Sequence, residues 1–103
     1  EFCIAYQSPL DNKVHRYFPD VFIISTDKNG KEVKTLIEVK PFDETIPPIP
    51  TTTAKTGKMS KRFLAEASTY AVNQAKWDAA HKYCFNKDWK FLIVTEKELG
   101  IIF

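Results

Sequence analysis

The apolar residues of this chain change from strand-like to helix-like spacing near residue 60. Before that point, short apolar segments alternate with polar residues at a period of two, which is typical of β-strands. From Ser60 to about Lys87 the apolar residues recur every three or four positions, which predicts one long helix with Ser60 as its N-cap. Strand-like segments together with a single long helix indicate a mixed α/β fold.

Four strands are expected before residue 40, at residues 2–6, 14–18, 21–26 and 33–39. We interpret them as one β-meander, because turn residues separate them, most clearly in the segment Asp27-Lys28-Asn29-Gly30. A fifth strand at residues 89–94 follows the helix, and a capped helical turn at residues 95–100 comes last. The order is therefore β-β-β-β-α-β. A strand after a long helix usually returns parallel to a neighbour, so we expect a mixed sheet with the helix on one face.

Composition limits the class of protein. The 103 residues, 44% of them hydrophobic, suit a single domain over residues 1–103. A net charge of +2 is too small to identify nucleic acid as a partner by itself. No apolar run approaches the roughly 20 residues that cross a bilayer, and the first residues lack the pattern of a signal peptide, so we expect a protein that is neither membrane-bound nor secreted. Cys3 and Cys84 are expected to be reduced thiols without chemistry.

Two segments are unusual for a small domain. Residues 41–59 contain four of the six prolines and five threonines, with no periodic apolar residues, which predicts a long loop of the kind that is often functional or mobile. The chain also begins directly in a strand, so one face of the sheet is expected to lack its cover and a preceding segment to be absent.

The residues most suited to chemistry are Asp20, Glu38 and Lys40. Glu38 and Lys40 project from the same face of a strand because side chains alternate along it. Asp20 follows the break at Pro19, and the intervening hairpin would return it beside Glu38. Two carboxylates and one lysine would then meet at one edge of the sheet.

This set of groups suits phosphodiester hydrolysis. Carboxylate oxygens of Asp20 and Glu38 are ligands that Mg²⁺ or Mn²⁺ accepts, and the backbone carbonyl of Val39 could add another. Lys40 could orient or deprotonate the attacking water, or stabilise the charged transition state, and the sequence does not choose between these roles. The alternative is that Pro19-Asp20 is a turn and that Glu38 and Lys40 form a surface ion pair.

Other residues could contact DNA. His15 and Arg16 shortly precede the candidate site and could reach a phosphate, although they could equally lie on a solvated strand face. Four cations occur between Glu44 and Glu66 without an acidic residue among them, and they could wrap a DNA backbone or form a solvated arm: Lys55, Lys58, Lys61 and Arg62.

The motifs Pro19-Asp20 and Glu38-Val39-Lys40 resemble the PD-(D/E)XK nuclease superfamily, which has a restriction-endonuclease-like fold. Over nearly the whole chain, four segments are similar to the head-completion (head-closure) proteins of T4-like tailed phages and, more distantly, to the endonuclease subunit of Tn7-type transposases. These segments are residues 15–20, 36–41, 73–77 and 95–96. The resemblance also implies that the absent segment contains the first core helix.

The resemblance implies metal ligands at Asp20 and Glu38, a catalytic lysine at Lys40, an additional carboxylate at Glu1 and a helix glutamine near the site at Gln74. It further implies a Mg²⁺- or Mn²⁺-dependent deoxyribonuclease that acts on DNA during phage head completion, in the host cytoplasm or the virion. Portal or neck proteins would be its partners, and a homodimer is compatible with cutting both strands. The alternatives are a virion structural protein that keeps the fold without needing catalysis, and a plain DNA-binding module.

Overall fold

The computed structural model describes residues 2–100. Its elements follow the predicted order, with the four strands before residue 40, one long helix, a fifth strand and a short last helix. They are β1 (Ile4–Gln7), β2 (Val14–Tyr17), β3 (Val21–Thr26), β4 (Glu32–Val39), α1 (Lys61–Lys87), β5 (Lys90–Val94) and α2 (Glu96–Leu99). The predicted mixed α/β fold is thus confirmed.

The strands form two ladders. β1 and β2 make an antiparallel pair, while β4 lies between β3, which is antiparallel to it, and β5, which is parallel to it. The parallel return of β5 after the helix was predicted. The prediction of one continuous meander is wrong, because β2 does not pair with β3. The strands are interrupted at residues 18–20, where Pro19 has no N–H to donate to a ladder.

Helix α1 packs against β1 and β5 and closes a small core. Ser60 caps it as predicted, accepting a hydrogen bond from the amide of Phe63. The core residues are Ile4, Tyr6, Tyr17, Leu36, Trp77, Ala80, Cys84 and Phe91. Cys84 in this core is a free, buried thiol, which agrees with the prediction of a reduced cysteine.

The predicted apolar stripe of α1 is only partly buried. Asn73, Trp77, Ala80 and Cys84 are the buried helix residues, whereas His81 is exposed. A helix of 27 residues is about 40 Å long, but the eight residues of β4 span only about 27 Å, so the sheet cannot cover the whole helix. The first three turns of α1 therefore bury no residue completely.

Residues 41–59 are largely irregular, as predicted. Within them, Phe42–Glu44 form one turn of 3₁₀ helix, and Thr52 and Met59 form an isolated bridge just before α1. Thr95 and Glu98 form a reciprocal capping box that begins α2, which agrees with the predicted capped turn. Among residues 2–100, no helix combines the length and apolarity needed to span a bilayer.

Candidate active site

The candidate site lies at the end of β4. Glu38 is close to the end of this strand, Lys40 follows it directly, and Nζ of Lys40 lies 3.7 Å from Oε1 of Glu38. Val21 pairs with Ile37 in the β3–β4 ladder, and continuing this register by one position sets Asp20 opposite Glu38. The structure therefore brings Asp20, Glu38 and Lys40 together at one rim of the sheet.

Asp20 is fixed by the backbone of the neighbouring strand. The β3–β4 ladder ends at Val21 and Ile37, so the amide of Val39 beyond it needs another acceptor. Oδ2 of Asp20 accepts this N–H at 2.9 Å. The side chain thus replaces a backbone partner just where the strand pairing stops, and this bond holds Asp20 next to Glu38.

Glu38 is a buried carboxylate, with only 5% of its surface exposed. The hydroxyl of Tyr17 donates to its Oε2 at 2.6 Å. Burial raises the pKa of Glu38, and the charge of Asp20 raises it further, although the Tyr17 hydrogen bond, Lys40 and Lys76 act in the opposite direction. Burial and Glu38 also raise the pKa of Tyr17 above its usual value, so its hydroxyl keeps the donated proton.

Lys76 brings a second cation towards Glu38 from helix α1. Its Nζ lies 5.8 Å from the ring centroid of Tyr6 and 5.9 Å from that of Tyr17. Lys76 also lowers the pKa of Glu38 by its charge. The buried carboxylate is therefore balanced by Lys40 from its own strand and by Lys76 from the helix.

The backbone after Lys40 is held on the neighbouring strand and helix. The amide of Lys40 donates to the carbonyl of Val94 at 3.0 Å. Two residues later, the amide of Phe42 donates to both carboxylate oxygens of Glu96, at 2.8 and 3.2 Å. Nζ of Lys97 lies 3.5 Å from the ring centroid of Phe42. These contacts fix the main chain that carries Lys40.

Comparison with known sequences identifies the family of this chain. The sequence model described as the TnsA-like endonuclease N-terminal domain matches residues 1–96, which include every element of the site. This chain belongs to the TnsA-like endonuclease family. The finding confirms the resemblance to Tn7-type endonucleases that the motifs predicted.

The TnsA-like chain is also similar to a phage protein. It is 39% identical over 100 residues to the head completion nuclease of Enterobacteria phage T4, which confirms the predicted resemblance to that group. The alignment covers 93% of this chain and 61% of the phage protein, so the chain spans less than two thirds of the length of this relative. No solved structure matches the chain.

The donor set at the rim of this TnsA-like chain fits a divalent cation. Each carboxylate has one oxygen engaged by a hydrogen bond, Oδ2 of Asp20 and Oε2 of Glu38, and the second oxygen remains for another ligand. No group of three or more His, Cys, Asp or Glu side chains suited to a metal occurs within residues 2–100. Two carboxylates are sufficient for Mg²⁺, which usually keeps several waters.

Glu1 and the backbone carbonyl of Val39 are two further predicted ligands. Glu1 lies outside the described residues. The backbone of Val39 contacts the site through its amide, which donates to Asp20, and its carbonyl remains a predicted ligand.

The two predicted DNA contacts on β2 have different surroundings. His15 stacks on Tyr6, with 5.8 Å between ring centroids, and its Nε2 lies 2.8 Å from Oδ2 of Asp11. The amide of Lys13 and the imidazole of His15 lower the pKa of Asp11. Arg16 is exposed, and alternation along β2 places it on the face opposite to Tyr17 and therefore away from Glu38.

Gln74 is the predicted helix residue that comes near the rim. It is half-buried and lines a cavity of about 250 Å³ together with Trp77 and Ile93. Ile93 is the partner of Glu38 in the β4–β5 ladder, so this cavity adjoins the site.

The predicted basic segment lies apart from the rim in sequence and is exposed throughout: Lys55, Lys58, Lys61 and Arg62. The expectation that these cations meet no acidic residue is wrong for Arg62. Its Nε lies 2.8 Å from Oε1 of Glu66, because residues four apart on a helix face each other.

Sequence reasoning missed three residues that shape the site: Tyr17, Lys76 and Glu96. Tyr17 lies on β2, whose ladder does not include Glu38, so strand alternation does not reveal their contact. Lys76 and Glu96 lie in the segments that resemble the nuclease families. Their charge within those segments was the signal that could have identified them as site residues.

Proposed function

We propose that this chain is a metal-dependent DNA endonuclease that hydrolyses phosphodiester bonds with Mg²⁺ or Mn²⁺. The observation that carries the proposal is the meeting of Asp20, Glu38 and Lys40 at the end of β4, with both carboxylates held by hydrogen bonds and the ammonium 3.7 Å from Glu38. Membership of the TnsA-like endonuclease family supports the same reaction class. We propose further that residues 1–103 form a single nuclease domain.

The roles follow from the chemistry of each group. Asp20 and Glu38 would hold the cation through their oxygens, which are ligands of the kind that Mg²⁺ prefers. When bound, such an ion lowers the pKa of a water and draws charge from a phosphoryl oxygen. Lys40 would orient or deprotonate the attacking water, or stabilise the negative charge on the phosphorus centre. Hydrolysis joins the water oxygen to phosphorus and breaks one P–O ester bond, leaving a phosphate end and a hydroxyl end.

The basic residues would bind the DNA backbone. Lys55, Lys58 and Lys61 are exposed cations whose binding to phosphates would release counterions without reading sequence. His15 and Gln74 would contribute contacts nearer to the site, and Arg16 would bind the backbone from the opposite face of β2. Arg62 would share its charge between DNA and Glu66. We infer no base-specific recognition from these residues.

The relative named head completion nuclease suggests the biological setting. We propose that the chain acts on DNA while a phage head is completed, after packaging, in the host cytoplasm or within the virion. Portal or neck proteins would then be neighbours, and a homodimer would supply one site for each DNA strand.

Replacement of Asp20 tests the reaction. Asp20→Asn keeps an oxygen that can accept the Val39 amide but removes the negative charge, so we expect loss of supercoiled-plasmid cleavage in Mg²⁺ and Mn²⁺ by about 100-fold or more. Asp27→Asn is a matched control. Asp27 is exposed and its Oδ1 accepts the amides of Asn29 and Lys31 in the β3–β4 turn, far along the strand from the rim.

The control should cleave like the wild-type protein, and both variants should fold as judged by circular dichroism. If the wild-type protein leaves DNA uncut with every divalent cation but still completes heads, the chain is a structural head-closure protein instead. DNA binding without cleavage or head completion would leave the DNA-binding module.

A further inference from the structure

We propose that Tyr17 is a positioning residue that determines which oxygen of Glu38 faces a bound divalent cation. The inference rests on the proposed function, because it concerns the same carboxylate. Tyr17 does not touch the reacting atoms. It would act through the orientation of Glu38 alone.

The hydrogen bond between Tyr17 and Glu38 joins the two ladders of the fold. Tyr17 ends β2 in the β1–β2 pair, whereas Glu38 lies on β4 of the three-stranded sheet. Their atoms Oη and Oε2 are 2.6 Å apart, a short distance typical of a hydroxyl bonded to a charged acceptor. The chain separates the two residues by 21 positions, so this bond is a tertiary constraint on the site.

The tyrosine ring itself has little freedom. Tyr17 is 4% exposed and pairs in register with Ile4, which is 3% exposed. Lys76 lies over its ring from helix α1. Because neighbours enclose the ring in this way, the hydroxyl presents a fixed donor to one carboxylate oxygen.

The two oxygens of Glu38 are consequently unequal. Oε2 is engaged by Tyr17, and Oε1 lies 3.7 Å from Nζ of Lys40. A carboxylate without this donor could rotate about its last torsion, which has a broad energy profile. Loss of the hydroxyl should therefore weaken cation binding even though no cation ligand is removed, as happens when partners that orient metal ligands are replaced.

Tyr17→Phe tests the inference, with Tyr6→Phe as its matched control. Tyr6 is also a buried tyrosine under Lys76, on the adjacent strand, but the hydroxyl that bonds Glu38 belongs to Tyr17. Mn²⁺ binding is measured by titration calorimetry without DNA, and the melting temperature is measured in EDTA. We expect Tyr17→Phe to weaken Mn²⁺ binding by about 10- to 100-fold and Tyr6→Phe to change it by less than about twofold.

High Mn²⁺ should also restore most of the cleavage rate of Tyr17→Phe, because the reacting groups remain. Equal Mn²⁺ affinity in Tyr17→Phe and wild-type protein would overturn the inference and leave the proposed function intact. A wild-type protein that binds no Mn²⁺ would overturn both.

Crystals of the wild-type protein grown with Mn²⁺ provide a measurement that needs no variant and so holds even if Tyr17→Phe does not fold. We expect the Tyr17 hydroxyl to remain on one oxygen of Glu38 and the cation to contact the other. A cation bound by both oxygens, with the hydroxyl turned away, would overturn the inference.

Discussion

The same tripeptide begins strand β4, as Glu32-Val33-Lys34, and recurs where the strand ends, as Glu38-Val39-Lys40. In each pair the lysine Nζ lies 3.7 Å from the glutamate Oε1. Yet the side chain of Glu32 is 62% exposed, whereas that of Glu38 is 7% exposed. Only the second pair has the Tyr17 hydroxyl and Asp20 beside it.

The comparison shows that the motif alone does not make a site. The Glu32–Lys34 pair is an ordinary surface ion pair, of a kind that contributes about 0 to 1 kcal/mol. Glu38 is buried and has a second carboxylate, that of Asp20, near it, so its charge is costly unless cations balance it. The neighbours from other elements, rather than the sequence Glu-Val-Lys, create the difference.

The largest expected difference between the two pairs is in DNA cleavage. Lys40→Met should reduce the cleavage rate by about 100- to 1000-fold, because it removes the ammonium that we propose acts on the attacking water or stabilises the charged transition state. Lys34→Met, on the same face of the same strand, should leave the rate within about twofold. Both rates are measured with supercoiled plasmid under saturating Mg²⁺. An equal loss in both variants would show that the lysines act only through general charge.

A smaller difference is expected in the pH dependence of stability without metal. Burial raises the pKa of Glu38, so the folded chain binds its proton at a higher pH than the unfolded chain, whose value is near 4.5. The stabilising contribution is therefore full below that value and is lost as the pH rises through the raised pKa. Glu38→Gln should remove this loss, so its melting temperature should rise relative to that of the wild-type protein as the pH increases from about 4.5 through the raised pKa of Glu38.

Glu32→Gln is the matched control for this measurement and should follow the wild-type protein. The lowered pKa values of Asp11 and Glu98 destabilise all three proteins alike at low pH, so they cancel in the comparison. If the melting temperatures of the wild-type protein and Glu38→Gln changed in parallel with pH, the result would contradict the burial of a charged carboxylate at this rim.

The smallest expected effect concerns the stability of the exposed pair. Lys34→Met removes the ion pair with Glu32 and a cation–π contact, with Nζ 5.6 Å from the ring centroid of Trp89. Glu32 is exposed, whereas Lys34 and Trp89 are half-buried, so the variant should lose no more than about 2 kcal/mol in urea unfolding. A loss of several kcal/mol would mean that the two pairs are more alike than their exposure indicates.

The order of elements could be predicted from sequence because each depends on local pattern. Ser60, Thr95 and the apolar spacing of α1 mark helix ends by chemistry within a few residues. Strand parity likewise placed Glu38 and Lys40 on one face. The prediction that Asp20 lies beside Glu38 followed from the register of the β3–β4 hairpin, which the turn residues indicate.

The supporting partners could not be predicted in this way. Tyr17 reaches Glu38 from the other ladder, and Lys76 reaches it from a helix that starts more than twenty residues after β4. Such contacts depend on how α1 and β1 pack, which local periodicity does not contain.

Anomalous diffraction from crystals soaked in Mn²⁺ tests the central claim most directly. We predict one strong anomalous peak within ligand distance of Asp20 and Glu38, with none at Glu32, although both glutamates have a lysine two residues on. Peaks only elsewhere on the surface, or equal peaks at Glu32 and Glu38, would contradict the claim that the end of β4 is a built cation site.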